Sequence, residues 1–507
     1  MRTRMESGGS WPRAPWWLAL ALAICATTAI AAPRKAGDIV VETRTTKLPN
    51  GDTLDYELGT LFVPENRSTP GSRLIGVGFA RIRAAKPAGV PPIFVLPGGP
   101  GRTYLNALTD GDASQLQNAA AYAFPYLAAG DVVIVDQRGY SQYGDVLELA
   151  ARAQPLDRPR SRSADAADMI RLAGDAVAAH PGKDLAGYTI VQCAEDVNDL
   201  RHALGYDRIT LSGQSFGSQW SFAVMRLHPE IVARALLSGV EPLDKSFDMP
   251  SQVFASLQRI AWDADRDPAL KPYLPQGGLM AALREVRDRF ANGEPIRVDI
   301  KADATGQTRG VTLGLEDFQG SLLRSADSWP SFVLSLYYRH YEDWARETVE
   351  RRNNIEGPVR LIEPLIDSSL GVSAGRGHLL RTDPGAEYLG FGDFDAVVAS
   401  ADAWPTPDVG DSLRLPVASA IPVVFFNGDW DTSTPVDNMF GALPYFPNSR
   451  AIVVHRGGHH TRARAFAQQP ELLAEVIDFL KTGDLDGLPV EVSLPAPAFQ
   501  RPAFPPP

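Results

Sequence analysis

The stretch LSGQSFGSQW (211–220) holds Gly213-Gln214-Ser215-Phe216-Gly217, a serine with a glycine two positions to either side. A serine nucleophile needs a base to take its proton, an acid to orient that base, and N–H donors for the developing oxyanion. In a chain with 44 glycines among 507 residues the five-residue pattern alone is weak, and its plain reading is a small-residue turn. The rest of the sequence supplies partners. VVFFNGDWDTSTP (423–435) offers Asp429 and Asp431, and AIVVHRGGHHTRA (451–463) offers His455, His459 and His460. LPGGPG (96–101) offers a loop in which Gly98 and Gly99 let the main chain approach a ligand while the prolines stiffen it. Each Asp or His taken singly reads as a solvated loop residue. Taken together they follow the chain order Ser, Asp, His, the order of α/β-hydrolases rather than of the chymotrypsin or subtilisin arrangements.

The elements around these residues must present them. RITLSG (208–213) reads as a buried strand, and the segment after Ser215 spaces Phe216, Trp220, Ala223 or Val224, and Leu227 as a buried helix does, so the serine sits in a strand–turn–helix. Further short apolar runs, PPIFVLP (91–97), DVVIVD (131–136), ARALLSG (233–239), IPVVFFNG (421–428) and RAIVVH (450–455), alternate with helical spacing at 165–178, 191–204 and 470–480. Continuous apolar strands separated by helices imply a mostly parallel sheet covered on both faces. Residues 38–86 are β-rich, and 243–415 are mixed and largely helical, with an aromatic cluster at 328–347.

The expected architecture is an α/β core with an inserted, mainly helical cap. A signal peptide is expected at 1–31, the core at 32–242 and 416–483, the cap at 243–415, and an extended or disordered Pro-rich tail at 484–507. Arg2, Arg4 and Arg13 precede the 17-residue apolar run WWLALALAICATTAIAA, which ends in a small-x-small pattern, so export with cleavage after Ala31 is expected, with no stable membrane insertion thereafter. Cleavage removes three Arg and one Glu, taking the formal charge from −11 to −13, which offers no basic face for nucleic acid. Cys25 would leave with the leader, so Cys193 stands alone, without a disulfide, and is expected to be a buried, inert thiol. No metal-binding spacing is present, and the chemistry needs neither metal nor cofactor.

The motifs GGPG, DQRGYS (136–141), GQSFGS, HPE (228–230), GDWDTSTP and GGHH together resemble the proline iminopeptidases and tripeptidyl aminopeptidases, α/β-hydrolase-fold serine peptidases with a helical cap. The resemblance covers about 90–242 and 416–480. It implies Ser215 as nucleophile, Asp431 as acid with Asp429 as runner-up, and His459 as base. It also implies Gly99 and Phe216 as oxyanion donors, with Gly98 a further candidate, and Arg138 as a structural ion-pair partner beneath the site. Acidic cap residues hold the substrate's amine in the iminopeptidases. Here Glu241 is the candidate, with Glu342 and Glu347 as weaker ones. Pro97 stands where iminopeptidases carry His, and the paired cap cysteines of the tripeptidyl relatives are absent. The expected activity is an exported aminopeptidase acting on short peptides through an acyl-enzyme. An ester or lactone hydrolase on the same triad and a non-catalytic binding protein on this scaffold are the rival readings. The oligomeric state is not legible in the sequence.

Overall fold

Four- to seven-residue apolar runs become neighbouring strands because each can be buried on both faces at once. The structure, a computed structural model, describes residues 34–507 apart from 48–52, 86–88, 110–121, 142, 301–308 and 356. The expected leader lies outside the described residues. In chain order the main sheet contains β1 (Ile39–Lys47), β2 (Thr53–Pro64), β3 (Leu74–Ile82), β4 (Ile93–Leu96) and β5 (Val132–Val135). It continues with β6 (Ile209–Gln214), β7 (Val232–Ser238), β8 (Val423–Gly428), β9 (Ser449–His455) and β10 (Glu491–Ser493). Their spatial order is β1-β2-β3-β5-β4-β6-β7-β8-β9-β10. β1, β2, β3 and β5 pair antiparallel, and from β5 onward every pairing is parallel.

Alternate side chains of one strand enter opposite cores. Phe94, Leu96, Val133, Val135 and Leu237 bury with helices α1 (Ile190–Ala203) and α2 (Phe216–Leu227). Ile93, Val95, Val132, Ile134 and Leu236 bury on the other face with α5 (Pro470–Thr482), entered through Leu472, Val476 and Leu480. This is the α/β-hydrolase fold, with helices on both faces of a mostly parallel sheet.

The insertion has two parts. From α3 (Pro250–Ala264) to about residue 353 it builds its own core, in which Phe290, Trp329 and Trp344 are buried. Its later part joins the main core: Ile362, Leu365 and Ile366 of α4 (Ile362–Leu370) pack in the same cluster as Trp220 and Val197. The Pro-rich end, expected to be extended or disordered, is extended and docked on the rest of the protein. It adds β10 to the sheet edge, sets Phe499 beside Trp430, and stacks Phe504 4.0 Å from His340. Large aromatic anchors between the prolines give the segment enough apolar area to dock. Among the described residues no helix is long and apolar enough to cross a membrane.

Beneath the site, Arg138 is fully buried and forks onto Asp196 at 2.6 and 2.7 Å while donating to the Glu65 and Gly187 carbonyls. Removing it orphans two carbonyls and leaves Asp196 to Arg67 alone. Arg138→Leu is expected to lower stability by about 3 kcal/mol in urea denaturation. Arg138→Lys should recover less than half of that, because an ammonium cannot reproduce the planar fork.

Candidate active site

β6 ends in Gln214 and α2 begins at Phe216, leaving Ser215 in a backbone conformation of φ 58 and ψ −131. Two glycines make this turn possible. A Cβ on Gly213 would lie 2.2 Å from the Gly217 carbonyl oxygen, and one on Gly217 would lie 2.0 Å from that of Leu96. Strand, turn and helix therefore meet at distances that only glycine allows. The Ser215 N–H donates to the Ser238 carbonyl at 2.9 Å, which ties the turn to the end of β7.

Asp431 follows β8 and is fully buried. Its carboxylate accepts from the Ser433 N–H at 2.9 Å, the Thr434 N–H at 3.0 Å and the Thr434 hydroxyl at 2.8 Å. His459, after β9, sets Nδ1 3.1 and 3.0 Å from the two carboxylate oxygens. Burial opposes charge on His459, but the Asp431 carboxylate, its hydrogen bond and Asp248 outweigh burial and raise the imidazole above its ordinary 6.5. With Nδ1 facing Asp431, the remaining nitrogen is the one free to accept a proton from a nucleophile.

The two halves of the site are held together by their neighbours. Gln214 Nε2 donates to the His459 carbonyl at 3.2 Å, and a Cβ on Gly239, the residue after Ser238, would lie 3.1 Å from His459 Cε1. Ser215 and His459 line one cavity, yet no hydrogen bond joins the Ser215 hydroxyl to the ring among the described residues. Such contacts in unliganded hydrolases commonly tighten only around substrate.

The loop after β4 lies against the serine. A Cβ on Gly98 would come within 3.3 Å of Ser215 Cβ and 3.8 Å of its Oγ. The buried Gln137 side chain clamps this loop, donating from Nε2 to the Gly98 carbonyl at 3.0 Å and accepting the Gly101 N–H at 2.6 Å. In a trans peptide the N–H points away from the carbonyl, so this clamp aims the Gly99 N–H away from Gln137. The Phe216 N–H is the first of α2 and has no intrahelical acceptor.

The cavity has a volume of about 690 Å³. Glu241, Asp248, Glu363, Asp367 and Asp393 line it, as do Arg102 and Arg360. Burial, then repulsion from Asp248, Asp367, Asp431 and Glu363, pushes Glu241 well above the ordinary carboxylate range. Burial likewise raises Asp367, reinforced by Glu363 and Asp393, and takes Asp248 up to about 7 against the hydrogen bond from Asn438. Of these groups only Glu241 was named from the sequence. Glu363 and Asp367 stand four residues apart on α4, so one helical face carries both, a spacing the sequence does display.

The other candidates fall elsewhere. Asp429 Oδ2 pairs with His455 Nδ1 at 2.9 Å, so the runner-up acid is taken up by a histidine other than His459. His460 Nδ1 meets the Tyr122 hydroxyl at 3.3 Å, and burial followed by the charges of His459 and Arg102 lowers it. Glu347 is exposed and paired with Arg324, Glu342 is exposed, and neither lines the cavity. Cys193 is buried, and burial pushes its thiol up to about 12. Among the described residues no three His, Cys, Asp or Glu side chains converge to hold a metal ion.

Residues 91–289 match a family model described as the α/β hydrolase fold, and residues 392–490 match one described as TAP-like protein. The serine protease Hip1 of Mycobacterium tuberculosis, and that of Mycobacterium bovis, is 22% identical over 459 residues, spanning 81% of this chain and 84% of that protein. Among solved structures, a thermophilic esterase from Thermogutta terrifontis is 15% identical and covers 83% of this chain and 99% of its own, at a TM-score of 0.34. An epoxide hydrolase from an endophytic Streptomyces is 14% identical over 90% of this chain and 98% of its own, at 0.35. The chain has the α/β-hydrolase fold, carries a segment that matches the TAP-like model, and has a distant relative that is a serine protease.

In a histidine-resolved NMR titration, His459 is expected to titrate above 6.5 and His460 below it. Asp431→Asn removes the pull that offsets burial, so the His459 midpoint should then fall below 6.5.

Proposed function

We propose that this chain is an exported aminopeptidase that cleaves short peptides near a free amino end through a Ser215 acyl-enzyme. His459, oriented by Asp431, takes the Ser215 proton as the hydroxyl attacks the peptide carbonyl. The Phe216 and Gly99 N–H groups receive the oxyanion, each contributing roughly 3 kcal/mol to the barrier reduction. His459 then passes its proton to the departing amine, and water, deprotonated by the same imidazole, releases the acyl group. Gln137 acts as a positioning residue, holding the Gly98–Gly99 peptide in place. Export rests on the leader read in residues 1–31.

The observation that carries the amino-end preference is the crowd of carboxylates in the serine's own cavity: Glu241, Asp248 and Asp367 converge beside Asp431. Carboxylates forced together out of water repel one another, and a substrate ammonium relieves that repulsion when it binds. A neutral ester or lactone gains nothing from them.

The test is a kinetic panel: a free aminoacyl anilide, its N-acetyl form and a short-chain ester, each against wild type, Ser215→Ala and Glu241→Gln. The free amine should be turned over at least about tenfold better than the N-acetyl form, and Glu241→Gln should raise KM for the free amine about tenfold or more. The pH dependence has a definite sign. Deprotonation of groups raised to about 7, such as Asp248, strengthens ammonium binding as pH rises. The substrate amine loses its own charge above about 8, so kcat/KM for the free amine should peak between about 7 and 8. Turnover of the ester with none of either anilide would replace this reading with an ester hydrolase.

A further inference from the structure

The cavity that holds the carboxylates also holds two guanidinium groups, Arg102 and Arg360. Glu241 and Asp367 take their electrostatic neighbours from Asp248, Asp393, Asp431 and Glu363. Arg102 bears on His459, His460 and Glu363, so its charge reaches both the imidazole and one of the carboxylates. Arg102 follows the GGPG loop directly, and its backbone is part of the same clamp: a Cβ on Gly99 would lie 3.0 Å from the Arg102 N–H nitrogen. Its side chain is exposed to the cavity and makes no hydrogen bond or ion pair among the described residues. Arg360, by contrast, is occupied: it donates to the Gly101 carbonyl and lies 4.2 Å over the Tyr140 ring.

Arg102 and His459 line the same cavity. His459 hands its proton to the departing amine, so the departing part of the substrate lies in the space that Arg102 also lines. A cavity of about 690 Å³ encloses a ligand of a few residues rather than a protein chain. In a peptide that short, the departing part ends in a carboxylate, and a planar guanidinium is the side chain best matched to it. We infer that Arg102 receives the free α-carboxylate of the departing portion, so that the substrate class is the short zwitterionic peptide, its ammonium among Glu241, Asp248 and Asp367 and its carboxylate on Arg102. This rests on the aminopeptidase reading above and adds the other end of the substrate. The acidic end alone would accept any amino-terminal segment, whereas the charged pair of ends sets a length.

The test compares trialanine with its C-terminal amide, which differ only in that terminal charge, together with the free alanyl anilide. Rates are measured on the full chain at about pH 7.5, where the substrate amine is still largely charged, and the acid-to-amide ratio is taken within each variant, so that any influence of Arg102 on the His459 imidazole acts on both substrates alike. Wild type should favour the free acid over the amide by about tenfold in kcat/KM, mostly through KM. Arg102→Ala should reduce that ratio to about one, and Arg102→Lys should restore part of it, since a positive charge remains without the fork. An acid-to-amide ratio that is the same in wild type and in Arg102→Ala, with the anilide still hydrolysed, overturns this inference and leaves the aminopeptidase reading standing. Absence of turnover of all three amine substrates overturns both.

Discussion

Everything at the site depends on a close approach that leaves no room for a side chain. Leu96, Gly213 and Gly217 bring β4, β6 and α2 together so tightly that a Cβ on either glycine would overlap a carbonyl oxygen. That contact forces Ser215 to φ 58, a conformation that costs a residue with a Cβ roughly 1–3 kcal/mol. Burial elsewhere offsets it. Phe216, Trp220, Ala223 and Val224 are all buried along α2, and each large apolar side chain contributes about 1.5–3 kcal/mol. The same contact sets the Phe216 N–H at a helix start and lays Gly98 against the serine. One backbone constraint thus positions the hydroxyl and both of its candidate oxyanion donors.

The electrostatics are arranged on that frame. Asp431 is surrounded by donors from its own loop, so its orientation is settled before His459 docks on it. Around this pair the protein tolerates several carboxylates at close quarters, which is unfavourable for the empty fold and raises their proton affinity. The ammonium of the proposed substrate would reverse that penalty, and part of its binding energy would then come from relieving the repulsion among these groups.

The strand–turn–helix around Ser215, the parallel sheet and the mainly helical insertion could be read from the sequence because each rests on local periodicity. Asp429 and Asp431 could not be separated that way. They sit two residues apart in one loop, and only the fold shows that one turns to His459 and the other to His455. The carboxylates of the cavity come from the end of β7, the loop before α3, α4, and Asp393 just before the helix Phe394–Ser400, and no local pattern announces that these meet. The Glu363–Asp367 spacing was visible, but a charged pair on a helix ordinarily faces solvent. The Pro-rich end was legible only as extended or disordered chain, not as docked chain. Composition reads as loose chain, while a few aromatic side chains, Phe499 and Phe504 among them, supply the docking area.

The central claim is that Ser215 is made reactive by His459. It is tested most directly by reacting the purified protein with a fluorophosphonate and mapping the adduct by mass spectrometry, with the rate compared in His459→Ala and His455→Ala. The account predicts a single adduct on Ser215, formed about a thousandfold more slowly without His459 and at an unchanged rate without His455. A folded protein that leaves Ser215 unmodified, or that labels it equally fast without His459, would contradict it.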